Sequence, residues 1–325
     1  MLPNVLSTDI CSLKEGEIRA ALVVKIWIDN VGKKTKHCFF RATIKNEIAC
    51  SYKEAQSAIV DPTNLKSKGK LAELLEPILA VYKLLEKQAK ERNPLDLELT
   101  EQEFLFDDVG DVISVRSKEK FQSHKIIEEF MILANLCAAE TIQKSKISFL
   151  YRTHEPPTFE KLPNLKNVAK SLGVNLNFRR KISGQDLNTL LKKAKENNCS
   201  DLISLTILRA MSQARYSPDN EGHFGLNLPY YTHFTSPIRR YSDILTHRAL
   251  IHIHKWDQKS GSRIEQDLFK IGEHLSKTER RSMLAERDTR DRYLASFLKN
   301  QIGAEFPAQI NGLSKSGVFV RLDEI

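Results

Sequence analysis

Apolar side chains follow two periods along this chain. Residues 20–28 and 38–50 are rich in β-branched and aromatic side chains and flank Gly32-Lys33-Lys34, which reads as two strands joined in a hairpin. Residues 71–92 carry apolar side chains at helical spacing, with Pro77 as a start or a kink. Two short apolar runs between Phe104 and Val115 flank Asp107-Asp108-Val109-Gly110-Asp111. Those aspartates fit a metal cluster or a hairpin turn, and the turn is favoured because Asp and Gly tolerate its backbone angles.

From residue 124 to 145 the spacing predicts a helix. Ile127, Met131, Ala134 and Ala138 share one stripe, which Ile126, Phe130 and Leu133 widen. Amphipathic helices are expected over 159–173 and over 185–196 after Ser183, and another helix over 201–214, broken at Ser217-Pro218. Two long helices follow over 237–256 and 264–300. Ser276-Lys277-Thr278-Glu279 in the second is a capping-box pattern that would divide it. After Phe306, residues 309–312 and 317–322 read as two strands around a Gly/Ser/Lys turn. Two strands alone are marginal in water and leave open edges, so a small barrel begun and not completed is expected. The fold class is α+β.

Composition adds little until chemistry is considered. The chain has 325 residues, 41% of them hydrophobic, which is enough for a substantial core. Lysine plus arginine is 50 against 41 acidic residues, a net charge of +9. That excess favours a polyanionic partner, although a lysine-rich solvated surface gives the same balance. The five cysteines form no Cys-x-x-Cys pair, which argues against a disulfide framework or a structural zinc site and fits a reducing cytoplasm. No apolar run is long enough for a membrane-spanning helix, and no signal-peptide pattern opens the chain.

The densest chemistry lies in Gly222-His223-Phe224-Gly225-Leu226 and in residues 231–243, Tyr-Thr-His-Phe-Thr-Ser-Pro-Ile-Arg-Arg-Tyr-Ser-Asp. Ser236 before Pro237 predicts a helix start, and the helix is expected to run through His254. Its first turn would then hold Arg239 and Arg240 where acidic residues are usual. Two guanidiniums, a helix N-terminus and the hydroxyls of Thr235 and Ser236 describe an anion site suited to phosphate. The alternative is an ordinary ion pair of Arg239 with Asp243, four residues on. His223, His233, Tyr231 and Tyr241 add polar aromatics of the kind that accompany single-stranded RNA, though each alone is more often packing.

These two segments, followed by Thr246-His247-Arg248-Ala249, resemble the signature of the ribonuclease II/ribonuclease R family of RNB-domain exoribonucleases, on its bacterial ribonuclease R side. Three further stretches agree in order: Met1-Leu2-Pro3-Asn4-Val5-Leu6-Ser7 with Cys11-Ser12-Leu13, Ser51 to Gln56, and Ile127-Glu128-Glu129 through Asn135. The resemblance implies 3′→5′ hydrolysis of single-stranded RNA with two divalent metals, usually Mg²⁺. It implies that Arg239 contacts the scissile or adjacent phosphate, and that Arg240 holds the helix start or a neighbouring phosphate. Tyr52 would meet the RNA 3′ end, and Glu128, or its neighbour Glu129, would position the terminal nucleotide. His223, Tyr231, Thr235 and Ser236 would line the RNA. In the bland reading the glutamates merely suit a helix dipole and Tyr52 is a strand residue.

Two departures matter. The family's metal-binding Asp-x-Asp-Asp cluster lies upstream of the Leu-Pro-x-x-Leu-Ser element that opens this chain, and no such motif occurs in its 325 residues. Leu97 also stands where some members have a base-stacking phenylalanine. Residues 1–300 are therefore expected to be a partial catalytic domain without metal ligands, and 304–325 the opening of a truncated OB fold. Such a chain would be inactive alone. The alternative is a non-catalytic RNA-binding remnant, or one half of a split enzyme completed by a separately encoded N-terminal half.

Overall fold

The computed structural model describes residues 2–61, 69–97, 101–174, 182–257, 267–299, 301–314 and 317–322. Among the described residues helices and strands are mixed, and the strands pair as four antiparallel two-stranded hairpins or ribbons. The chain forms two compact units. The first comprises residues 1–95, 121–156 and 212–275, and the second 96–120, 157–211 and 276–325.

In the first unit, β1 (Ile18–Ile28) pairs with β2 (Lys34–Lys45). Asp29 shapes the turn by accepting the N–H groups of Val31 and Lys33 at 3.0 and 2.9 Å. Gly32, at φ +86°, is required there because a Cβ would stand 2.4 Å from the Leu84 carbonyl oxygen. The second strand ends five residues before the expected Cys50, and a helix not foreseen in the sequence follows, α1 (Tyr52–Val60). Its start is a reciprocal cap: Ser51 Oγ accepts the Glu54 N–H at 3.2 Å, and the Glu54 carboxylate accepts the Ser51 N–H at 2.7 Å. α2 (Gly69–Arg92) continues through Pro77.

The core of this unit forms on α3 (Gln122–Lys144). Its inner face is Ile126, Ile132, Ala134, Asn135, Cys137, Ala138, Ala139 and Ile142, so the expected stripe is displaced and Ile127 is exposed. Ala134, Cys137, Ala138 and Ile142 pack with Phe39, Phe149, Tyr151, Phe234 and Leu250, and Leu22, Val24 and Ile26 of β1 close the cluster. Burial pushes the Cys137 thiol up to about 12. β5 (Tyr151–Thr153) pairs with β6 (Arg215–Ser217).

α7 (Tyr241–Ile253) starts four residues later than expected. Pro237 to Arg239 form a turn instead, closed by the Arg239 and Arg240 N–H groups on the Ser236 carbonyl at 3.3 and 3.1 Å. Arg240 is the extended N-cap residue, and Asp243 supplies the acidic side chain of the first helical turn. The apparent violation of helix-start chemistry is thereby removed. α8 (Leu268–Lys299) is one continuous helix, with Ser276 buried within it rather than capping a second. Leu268, Ile271 and Leu275 pack on Leu150, Tyr216 and Leu245 and carry the helix into that position. Residues 264–266 and 300 of the expected helix lie outside the described residues.

In the second unit, β3 (Gln102–Phe106) and β4 (Val112–Ser117) form the expected hairpin. α4 (Leu162–Ser171), α5 (Gly184–Glu196) and α6 (Ser200–Ala210) bury Leu165, Leu187, Leu190, Ile203 and Ile207. α5 opens with a reciprocal Ser183–Asp186 cap. α6 stops at Ala210, earlier than expected, because residues 215–217 are drawn into the β5–β6 ribbon. β7 (Ala308–Ser314) pairs with β8 (Gly317–Leu322). Lys315 and Ser316 of the expected turn lie outside the described residues, and among the described residues these strands close no barrel. Among the described residues no helix is long and apolar enough to cross a membrane.

Candidate functional site

Residues 231–236 have no regular secondary structure, so their backbone groups need other partners. Asn135 of α3, fully buried, supplies two of them. Its Oδ1 accepts the N–H groups of Phe234 and Thr235 at 2.9 and 3.2 Å, and its Nδ2 donates to the Tyr231 hydroxyl at 2.8 Å. Asp243, also fully buried, accepts the next N–H, that of Ser236, at 2.7 Å. His247 Nε2 donates to the Phe234 carbonyl at 2.8 Å, and the Thr232 hydroxyl donates to the Leu150 carbonyl at 2.8 Å.

The two adjacent arginines have different fates. Arg240 grips Asp243 with Nε at 2.8 Å and Nη2 at 2.9 Å, a two-pronged pair behind the helix start. The ion pair weighed for Arg239 therefore belongs to Arg240. Arg239 is exposed, and among the described residues its guanidinium has no hydrogen-bond or ion-pair partner. Thr235 is exposed and Ser236 half-buried beside the same turn. The N–H groups of residues 234–236 are all consumed internally, so only side chains from this stretch are available to an anion.

Behind the segment lies a neutral aromatic wall. His233 is paired with the Tyr216 hydroxyl at 2.9 Å, and burial, then Arg240 and Arg152, push it down to about 2. His223 Nδ1 accepts the Leu226 N–H at 3.1 Å, and its ring lies between those of His154 and Tyr231. Burial, then His154 and Arg152, push it to about 3, so it brings no positive charge to a phosphate near neutral pH. Tyr231 is only 4% exposed and its hydroxyl serves Asn135. Its ring packs in the core with Ile132 and Leu228. Gly225 is tight against this wall, because its N–H donates to His154 Nδ1 at 3.0 Å and a Cβ would come within 2.9 Å of that atom.

The same helix α3 carries the acidic pair. Glu128 is exposed and Glu129 half-buried. Burial, with Glu128 and Glu86 nearby, raises the Glu129 carboxyl against the opposing pull of Arg92, whose Nη2 stands 3.9 Å away. Two buried nitrogens of Arg92 make no hydrogen bond. Tyr52, 46% exposed, is the first residue of α1 rather than a strand residue, and stacks on His124 of α3 at 4.2 Å between ring centroids. One helix thus joins the platform under Tyr52, the acidic pair and the Asn135 clamp. Asn135, Asp243, Arg92 and His124 were not singled out as site residues in the sequence. Asp243 had a visible signal, its spacing from the arginines; Asn135 lay within a quoted stretch; Arg92 and His124 gave none.

The divalent metals that the resemblance implies find no matching donor set here. Among the described residues no three His, Cys, Asp or Glu side chains stand together to hold an ion. The Asp107 carboxylate instead accepts the N–H groups of Val109 and Asp111 at 3.0 and 2.8 Å, as a turn requires.

The RNB domain model matches residues 1–255. The chain belongs to the RNB-domain family. Ribonuclease R of Aquifex aeolicus is 35% identical over all 325 residues, and that of Escherichia coli 32% identical over the whole chain. The chain spans 46% and 41% of the lengths of those two proteins. Among solved structures it is similar to Mycoplasma genitalium RNase R in complex with ribose-methylated single-stranded RNA, with a TM-score of 0.93 and 28% identity over 99% of this chain and 51% of that one. The RNB architecture therefore accounts for the mixed helices and strands.

Proposed function

We propose that this chain supplies the RNA-gripping part of a cytoplasmic 3′→5′ exoribonuclease acting on single-stranded RNA. The observation that carries the reading is the exposed Arg239 guanidinium, without a partner among the described residues, on a turn fixed by Asn135 and Asp243. A guanidinium so placed pairs with a phosphate and stabilises charge that develops on it. Thr235 and Ser236 add hydroxyl contacts, while Arg240 holds the helix start. Tyr52 meets the 3′ end, and Glu128 with Glu129 positions the terminal nucleotide. Within this reading residues 1–300 act as the catalytic-domain portion, and 304–325 as the opening of an OB-type RNA-binding domain.

A donor set for Mg²⁺ is not found among the described residues. We infer that the carboxylates come from outside these 325 residues, on an N-terminal partner segment. The same observation favours, as a second reading, an RNA-binding protein without catalysis. Incubation with 5′-labelled single-stranded RNA and Mg²⁺ separates the two. With the chain alone, binding without shortening is expected; adding an aspartate-bearing N-terminal half should produce stepwise shortening from the 3′ end. Shortening by the chain alone contradicts the missing-carboxylate inference. Binding without shortening in the mixture favours the second reading, and no binding overturns both.

A further inference from the structure

We propose that Asn135 is a positioning residue for Arg239: through two peptide N–H groups it sets where the turn presents the guanidinium to an RNA phosphate. This rests on the reading of Arg239 given above and extends it to a residue that meets no RNA itself.

Three consecutive N–H groups, of Phe234, Thr235 and Ser236, are fixed by two fully buried side chains, Asn135 from α3 and Asp243 from α7. The Ser236 carbonyl in turn receives the N–H groups of Arg239 and Arg240. Pro237, with φ restricted by its ring, stiffens the link between them. The path from the Asn135 amide to the Arg239 backbone is therefore a short series of hydrogen bonds through a stretch with no ladder of its own.

Only a carboxamide suits this place. It accepts from both peptide groups through one end and donates to the Tyr231 hydroxyl through the other, without a charge at a fully buried position. A carboxylate would bring that charge, and an aliphatic side chain would leave the peptide groups unpaired. Asn135 also lies seven residues after Glu128 on α3, two helical turns or about 10 Å along the axis. The clamp thus ties the arginine turn to the helix that carries the acidic pair. Loosening it would blur the arginine's position without altering its charge.

The test is a double-mutant cycle on the full chain, read as binding of a 5′-fluorescein single-stranded RNA oligonucleotide by anisotropy. Arg239→Ala is expected to weaken binding about tenfold, as loss of a charge-assisted hydrogen bond does. Asn135→Ala should weaken it several-fold, and the double variant should bind no more weakly than Arg239→Ala alone. Ile142→Val, in the same helix and core, should lower the melting temperature without changing affinity. Tyr231→Phe, which removes only the hydroxyl that orients the amide, should show the same coupling at smaller amplitude, and decides the matter if Asn135→Ala does not fold. Native affinity in both clamp variants, or additive losses in the double variants, overturns the positioning role while leaving Arg239's role intact. Unchanged affinity in Arg239→Ala overturns the site reading itself, and the clamp proposal with it.

Discussion

Like charges stand close together at Asp107-Asp108-Asp111 and at Arg239-Arg240, and the fold treats the two segments differently. In the acidic segment the Asp107 carboxylate is consumed by its own turn, while Gly110 takes the φ of +94° that the turn needs. Asp108 and Asp111 are exposed beside it, but among the described residues the three carboxylates do not gather into a group that could hold a metal ion. In the basic segment a fully buried carboxylate binds one arginine, and buried side chains take up the neighbouring N–H groups. The second arginine is left exposed on a fixed backbone. Charge density alone does not make a site; a site appears where the surroundings satisfy everything except one group.

Removing Asp243 should break this contrast most severely. Asp243→Ala leaves the Arg240 guanidinium, 17% exposed, and the Ser236 N–H without their acceptor. A loss of about 3–5 kcal/mol in urea unfolding is expected, as for other broken buried pairs. A loss well below 1 kcal/mol would mean that the pair is not what fixes the turn.

Acid should attack the wall behind the same segment. His223 and His233 are held neutral in the folded chain, near 3 and 2 instead of 6.5. Between those values and 6.5 the unfolded chain binds more protons. Their contribution to stability is whole above pH 6.5 and drains as pH falls, by up to about 1.4 kcal/mol per pH unit for each group. His233→Gln should flatten the dependence of unfolding free energy between pH 6.5 and 4; an unchanged slope would show that His233 is protonated in the folded state.

The acidic turn should respond least. Asp107→Ala loses turn hydrogen bonds and should cost about 1 kcal/mol. Calorimetric titration with Mg²⁺ should not distinguish it from the native chain, and a lost binding isotherm would restore the metal reading of that turn.

Most of what was legible in the sequence is local, although the equally local Ser51–Glu54 cap that opens α1 was not read as a helix start. The Asp107 turn, the Ser183 cap and the helical period of α3 are written within a few neighbouring residues and were readable. The start of α7 was not: Ser236-Pro237 is a sound local signal, but Asp243 overrides it by taking the Ser236 N–H from seven residues away. Likewise Ser276 looks like a cap, yet Leu268, Ile271 and Leu275 carry one helix through it. The arginine pair stood out as a charge pattern and the acidic pair only through the family resemblance, whereas the division of labour between Arg239 and Arg240 depends on a tertiary contact. Asn135 looked like one polar residue in an apolar helix, and its partners lie about a hundred residues further along the chain.

The most direct measurement is the salt dependence of affinity for a single-stranded RNA oligonucleotide, native chain against Arg239→Ala. If Arg239 neutralises one phosphate, the slope of log affinity on log salt should shrink by about 0.7 in the variant, with unfolding free energy unchanged. Superimposable salt titrations would contradict the assignment of Arg239 to RNA.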